Sequence, residues 1–138
     1  MIFITRREVF SASHRVYNDK LSDAENEKIF GKCSNPNGHG HNYILEVVVK
    51  GEVNPETGYV IDLKILKKII IENVVGRLDH KNLNLDVDFL HGKIPSAENI
   101  AIGIWNQLAD KLPAGELHSI KLYETENNYV EFRGNKKI

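Results

Sequence analysis

His39-Gly40-His41-Asn42-Tyr43-Ile44-Leu45-Glu46-Val47-Val48-Val49-Lys50 decides how this chain is read. Tyr43, Leu45, Val47 and Val49 alternate with Asn42, Ile44, Glu46 and Val48, the period-two pattern of a strand with one buried face. If strand geometry extends back to His39, the rings of His39 and His41 point to the same face as Tyr43 and Leu45. Same-face neighbours on a strand lie about 7 Å apart, so bonds of about 2.0–2.1 Å let both imidazoles converge on one zinc ion. Read alone, Gly-His-Gly-His is also an ordinary polar turn.

Upstream, residues 31–40 hold Gly31, Gly38 and Gly40, with turn chemistry at Asn35-Pro36-Asn37-Gly38, so this is a loop. It carries Cys33, the only cysteine. Before it, Ile2 to Ser13 is rich in Ile, Phe, Thr and Val and reads as a strand, with Arg6, Arg7 and Glu8 interrupting its alternation. His14 stands at the end of that strand and supplies a third histidine. Ser22 with Glu25 three residues on is a capping box for a short helix ending near Phe30.

Downstream, Asn54-Pro55-Glu56-Thr57-Gly58 is a turn. Asp62 caps a helix with Leu63, Leu66, Ile70 and Val74 on one stripe, ending near Gly76. Leu78 to Leu83 reads as a connection. Ser96 caps a second helix, in which Ala97, Ile100, Ala101, Ile104, Trp105, Leu108, Ala109 and Leu112 recur at helical spacing. Leu117 to Thr125 and Tyr129 to Arg133 form a hairpin. The order ββααββ predicts an α+β domain: a four-stranded antiparallel sheet with two helices on one face. The other face is solvated or meets another subunit.

The 138 residues suit a single domain spanning 1–138 that needs no disulfide to fold. The lone cysteine fits a reducing, cytoplasmic setting. No apolar run is long enough to cross a membrane, and no signal-peptide pattern follows Met1. Eighteen basic residues against nineteen acidic give a net charge of −1, so a basic footprint for nucleic acid is absent. No Gly-x-Gly-x-x-Gly fingerprint for a nicotinamide cofactor is present.

With Cys33, the histidines permit two sites. Cys-His₃ is a closed structural zinc centre, whereas His14, His39 and His41 alone leave an open position of the catalytic kind. In the second case Cys33 is free to act as a base, its thiol acidified by Lys32. Glu124 shares the strand face of Ile120 and Leu122, where a carboxylate is costly unless paired. It reads as a strand-end residue bending into solvent, or as an anchor for a ligand with two N–H donors. Glu98 lies in the first turn of the second helix, where the helix dipole favours an acid. Asp79 and His80 are adjacent, and in extended backbone their side chains point apart.

Together, Phe10-Ser11-Ala12-Ser13-His14-Arg15, Gly31-Lys32-Cys33 followed by His39-Gly40-His41-Asn42-Tyr43, Leu78-Asp79-His80-Lys81-Asn82-Leu83, Ala97-Glu98-Asn99 and Tyr123-Glu124-Thr125-Glu126-Asn127-Asn128 resemble the 6-pyruvoyl-tetrahydropterin synthase family over nearly the whole chain. The resemblance implies the tunnelling fold, a homohexamer built as a dimer of trimers with active sites between subunits. It implies zinc on His14, His39 and His41, and Cys33 as the catalytic base. Asp79 and His80 of a neighbouring subunit would complete a proton relay, joined by Glu124, while Glu98 and Glu124 bind the pterin. The implied reaction turns 7,8-dihydroneopterin triphosphate into 6-pyruvoyl-tetrahydropterin and triphosphate, a step of tetrahydrobiopterin biosynthesis. Arg15 and Lys32 are candidates for the triphosphate. The related 6-carboxytetrahydropterin synthase, which releases acetaldehyde, typically has a shorter gap between cysteine and histidine. A pterin- or zinc-binding module without turnover would have no use for Cys33, Asp79, His80 and Glu124. Two features depart from the family: Ser96-Ala97 replaces paired hydroxyl residues, and Asp88 to Lys93, with His91, has no counterpart.

Overall fold

The structure is a computed structural model and describes residues 1–135. Its centre is a long antiparallel pair, β1 (Ile2–His14) and β2 (His39–Gly51), joined through the helix α1 (Asp23–Phe30) and a 3₁₀ turn at Gly31–Ser34. The register is unbroken from Ile2 opposite Gly51 to His14 opposite His39. β4 (Glu116–Thr125) pairs antiparallel with β2, and β5 (Asn128–Phe132) with β4.

The sheet has five strands where four were expected. The extra strand, β3 (Lys81–Asn82), runs parallel to β1 in the stretch read as a connection. The strand order is therefore β3-β1-β2-β4-β5, and the sheet is mixed rather than antiparallel. Two residues are too few to show alternation. What holds β3 is backbone hydrogen bonding: His80 N–H donates to Ser11 O at 2.6 Å and Leu83 N–H to Ser13 O at 2.8 Å.

The helices start at their caps. Ser22 Oγ accepts from Glu25 N–H while Glu25 Oε1 accepts from Ser22 N–H, which starts α1 as the capping box predicts. Asp62 caps α2 (Leu63–Ile70) through Lys64 N–H. The helix expected to stop near Gly76 instead changes geometry. It passes through a π-helical turn at Ile71–Val75 and ends in a last α-helical turn, α3 (Gly76–Leu78). Ser96 caps α4 (Ala97–Leu108) through Asn99 N–H.

The core lies between the sheet and α2 and α4. Leu66, Ile70 and Val74 meet Ile100, Ile104 and Leu108, and both sets pack on Phe10, Tyr43, Leu45, Val47, Ile120 and Leu122. Truncating one of these to alanine costs about 2–5 kcal/mol, as for other buried aliphatic side chains. Leu63, placed on the apolar stripe by spacing, is largely exposed at the first turn of α2. On the uncovered face Phe3, Val9 and Tyr129 are exposed. No described helix is long and apolar enough to cross a membrane.

Candidate metal centre

The β1–β2 register builds the site. His14 is the last residue of β1 and stands opposite His39, and Ala12 stands opposite His41. Strand alternation places all three rings on the core side with Phe10 and Tyr43, as the pattern at the start of β2 predicts. The ligand atoms of His14, His39 and His41 lie within 4.8 Å of one another. Gly38 makes this possible. Its φ is +70°, and a Cβ there would stand 2.9 Å from the His14 carbonyl oxygen, so only glycine lets the loop cross His14 so closely. Gly40, by contrast, has room for a Cβ, so of the two glycines flanking His39 only Gly38 is required.

The donor set fits a metal. His14 Nδ1–H donates to the carbonyl of Pro95 at 2.8 Å, which leaves Nε2 as the lone-pair nitrogen. The Tyr43 hydroxyl lies 3.4 Å from the same Nδ1. His14 Nε2 and His39 Nε2 are 3.2 Å apart, and His41 Nε2 is buried without a hydrogen-bond partner among the described residues. A buried nitrogen left unpartnered, as at His41, is costly, and a cation among the three rings would satisfy it. Burial pushes the His14 and His41 rings below the ordinary histidine range, against an opposing pull from the Glu124 charge. Both are therefore neutral near pH 7, the state that binds a metal. Burial, reinforced by Glu124, also keeps Tyr43 a protonated phenol.

Cys33 stands outside the metal-sized group among the described residues. The candidate group therefore consists of the three histidines without the thiol. Cys33 sits half-buried in the 3₁₀ turn and is tied to the ligand strand, because its carbonyl accepts from Val16 N–H at 2.8 Å. Arg15 packs over Tyr17 at 3.8 Å, and its Nε donates to Ser34 O at 2.8 Å. Arg15 and Lys32 line one recess beside the 3₁₀ turn, together with Asp23 and Glu27.

Glu124 reaches the histidines: Oε1 is 3.7 Å from His41 Nε2 and Oε2 is 4.0 Å from His14 Nε2. It comes after the buried Ile120 and Leu122 on one face and falls where the β4–β5 register shifts, between Tyr123 and Thr125. Such an irregularity re-aims a side chain. Glu98 is exposed in the first turn of α4 and has no hydrogen-bond partner among the described residues. His91 is an exposed loop residue.

Asp79 and His80 meet despite being adjacent. His80 has φ +62°, so the backbone is not extended there, and His80 Nδ1 lies 3.1 Å from Asp79 Oδ2. Asp79 Oδ1 accepts from Ser11 N–H at 2.9 Å; this bond, and then His80, hold its carboxyl below the usual range. The His80 side chain is 83% exposed, and with Ser11, Asn42, Asn82 and Asp86 it lines a polar groove. Sequence reasoning missed the Pro95 carbonyl, the Tyr43 hydroxyl and the Ser11 amide. Two of these are backbone groups, which any residue carries; only Tyr43, on the ligand face, left a sequence signal.

The fold and site define an α+β protein with a group of three histidines that could hold a metal ion. The family model described as 6-pyruvoyl tetrahydropterin synthase matches residues 3–135. The 6-pyruvoyl tetrahydrobiopterin synthase of Pongo abelii is 53% identical over 95% of this chain and 90% of its own length, and that of Dictyostelium discoideum is 51% identical over 96% of both. The solved structure of 6-pyruvoyl tetrahydropterin synthase from Caenorhabditis elegans superposes with a TM-score of 0.91 at 41% identity, over 97% of this chain and 96% of that one. The chain belongs to the 6-pyruvoyl tetrahydropterin synthase family.

Proposed function

We propose that the protein is a zinc-dependent lyase that converts 7,8-dihydroneopterin triphosphate to 6-pyruvoyl-tetrahydropterin and releases triphosphate, in tetrahydrobiopterin biosynthesis. The observation that carries this reading is the convergence of three imidazoles, one with an unpartnered buried nitrogen, beside the Glu124 carboxylate. A closed structural centre has no use for an open position flanked by an acid.

His14, His39 and His41 hold the metal. Zinc there supplies Lewis acidity toward the hydroxyl oxygens of the substrate side chain. Cys33, as thiolate, takes a proton from that side chain. Asp79 orients His80, which moves protons in the same relay, joined by Glu124. Glu124 and Glu98 accept N–H groups of the amino-pyrimidine ring, and Glu124 thereby sets the pterin beside the metal. Arg15 and Lys32 offer charge to the triphosphate. Elimination of triphosphate followed by tautomerisation reduces the ring and oxidises the side chain, so the step balances without an external reductant.

The single domain acts as a homohexamer, a dimer of trimers whose sheets close into barrels. The exposed Phe3, Val9 and Tyr129 on the uncovered sheet face support this, as does the exposure of His80. Incubation with 7,8-dihydroneopterin triphosphate, with products identified by mass, tests the proposal. A pyruvoyl product with equimolar triphosphate is expected. A carboxy product with acetaldehyde, or no turnover by metal-loaded protein, overturns it.

A further inference from the structure

The helix that starts at Asp62 does not reach Asp79 in a single register. It leaves α2 for the π turn at Ile71–Val75 and returns to α geometry at Gly76–Leu78. A π turn accommodates one extra residue and rotates the downstream residues by about 100° relative to an unbroken α-helix. Asp79 and His80 come directly after it. We propose that this π turn is the register device that delivers Asp79 and His80 to the edge of β1, with Gly76 and Asn73 as its positioning residues.

Gly76 N–H donates to the carbonyl of Ile71, five residues back. A Cβ at Gly76 would stand 3.0 Å from that same oxygen. The backbone at Gly76 is ordinary right-handed helix, φ −63° and ψ −19°, so what a side chain there would disturb is not the dihedrals but the Ile71 carbonyl, which would have to give by a few tenths of an ångström. In a plain α-helix alanine would be the better residue. Asn73, a weak helix former, sits in the middle of the π turn. Its Nδ2 donates to Ile69 O at 2.8 Å, and its own carbonyl accepts from Arg77 Nη1 at 3.4 Å.

The output of the device is a double lock on Ser11. Asp79 N–H closes the last helical turn on Val75 O at 2.8 Å. Asp79 Oδ1 then accepts from Ser11 N–H, and His80 N–H donates to Ser11 O. In an unbroken α register Asp79 leaves the helix on a different side, and the Ser11 amide loses its partner.

The inference rests on the proposed role of Asp79 and His80, and its test separates the two. Gly76→Ala and Asn73→Leu are each measured for amide hydrogen exchange at Ser11, for steady-state kinetics and for bound zinc. Faster Ser11 exchange and a fall in kcat of about 100-fold are expected, the scale of a displaced acid–base group. KM and bound zinc stay unchanged, because the metal ligands lie on β1 and β2. Asn73→Ser, whose hydroxyl can bond the carbonyl four residues back, restores most of the lost rate relative to Asn73→Leu. Should Gly76→Ala fail to fold, the Asn73 pair decides. Unchanged Ser11 exchange in the folded variants overturns the inference. Faster exchange with unchanged kcat supports the register device and removes Asp79 and His80 from the reaction.

Discussion

His14 and His39 face each other as the last registered pair of β1 and β2, with their Nε2 atoms 3.2 Å apart. At that distance a neutral His39 can donate Nε2–H to the His14 Nε2 lone pair, and with its proton on Nδ1 instead it turns a second lone pair toward a cation the two rings would share. His39→Ala is therefore expected to weaken zinc binding by more than the roughly 10–100-fold cost of losing an outer partner of a metal ligand. Zinc titration against a competing chelator measures it. Wild-type affinity in the variant would show that the ion sits elsewhere.

The same burial sets a pH limit. His14 and His41 are held below the ordinary value of 6.5 in the folded chain, so between their folded values and 6.5 the unfolded chain binds more protons. Stability rises with pH wherever the unfolded state holds the extra protons. The metal-free protein should therefore lose stability as pH falls below about 6.5 and be insensitive to these groups well above it. Protons also compete for the ligand nitrogens, so zinc loss should begin in the same window. Thermal melts from pH 7.5 to 5.5, with and without zinc, test both, and a flat profile refutes them.

Cys33 lies outside the histidine group, so Cys33→Ala should retain zinc and lose activity by about 100-fold or more, the range for an acid–base residue. Metal analysis beside a turnover assay distinguishes this from a closed centre, in which zinc and activity would leave together.

Gly38 crosses the His14 carbonyl with φ +70°, a conformation that costs another residue of order 1–3 kcal/mol. A Cβ would also press on that carbonyl. Gly38→Ala should thus lower the urea midpoint and weaken zinc binding, whereas Gly40→Ala, which has room, should disturb both less. Equal effects at the two positions would contradict the geometry.

Which features can be read from the sequence depends on which atoms do the holding. β2 is legible because Tyr43, Leu45, Val47 and Val49 bury one face, and that face carries His39 and His41 with it. Ser22 with Glu25, Asp62 and Ser96 announce helices because their side chains bond specific backbone donors. β3 leaves no such trace, since its two residues pair with β1 too briefly to show alternation and the bonds that hold it are mostly main-chain ones. The contact between Asp79 and His80 is hidden for a related reason: extended backbone separates neighbours, and nothing in the letters reports a positive φ at His80. The π turn is equally silent, because a glycine at position 76 reads as a helix end and not as a change of helical register.

The unbroken pairing from Ile2 with Gly51 to His14 with His39 has a consequence for folding. A slip of one residue between these strands would turn β2 over and send His39 and His41 to the opposite face from His14. A mispaired chain would thus be unable to gather three imidazoles, however compact it became. Zinc stoichiometry in a purified sample is therefore also a census of correctly aligned hairpins. Metal supplied during refolding should enrich the aligned population by binding it alone.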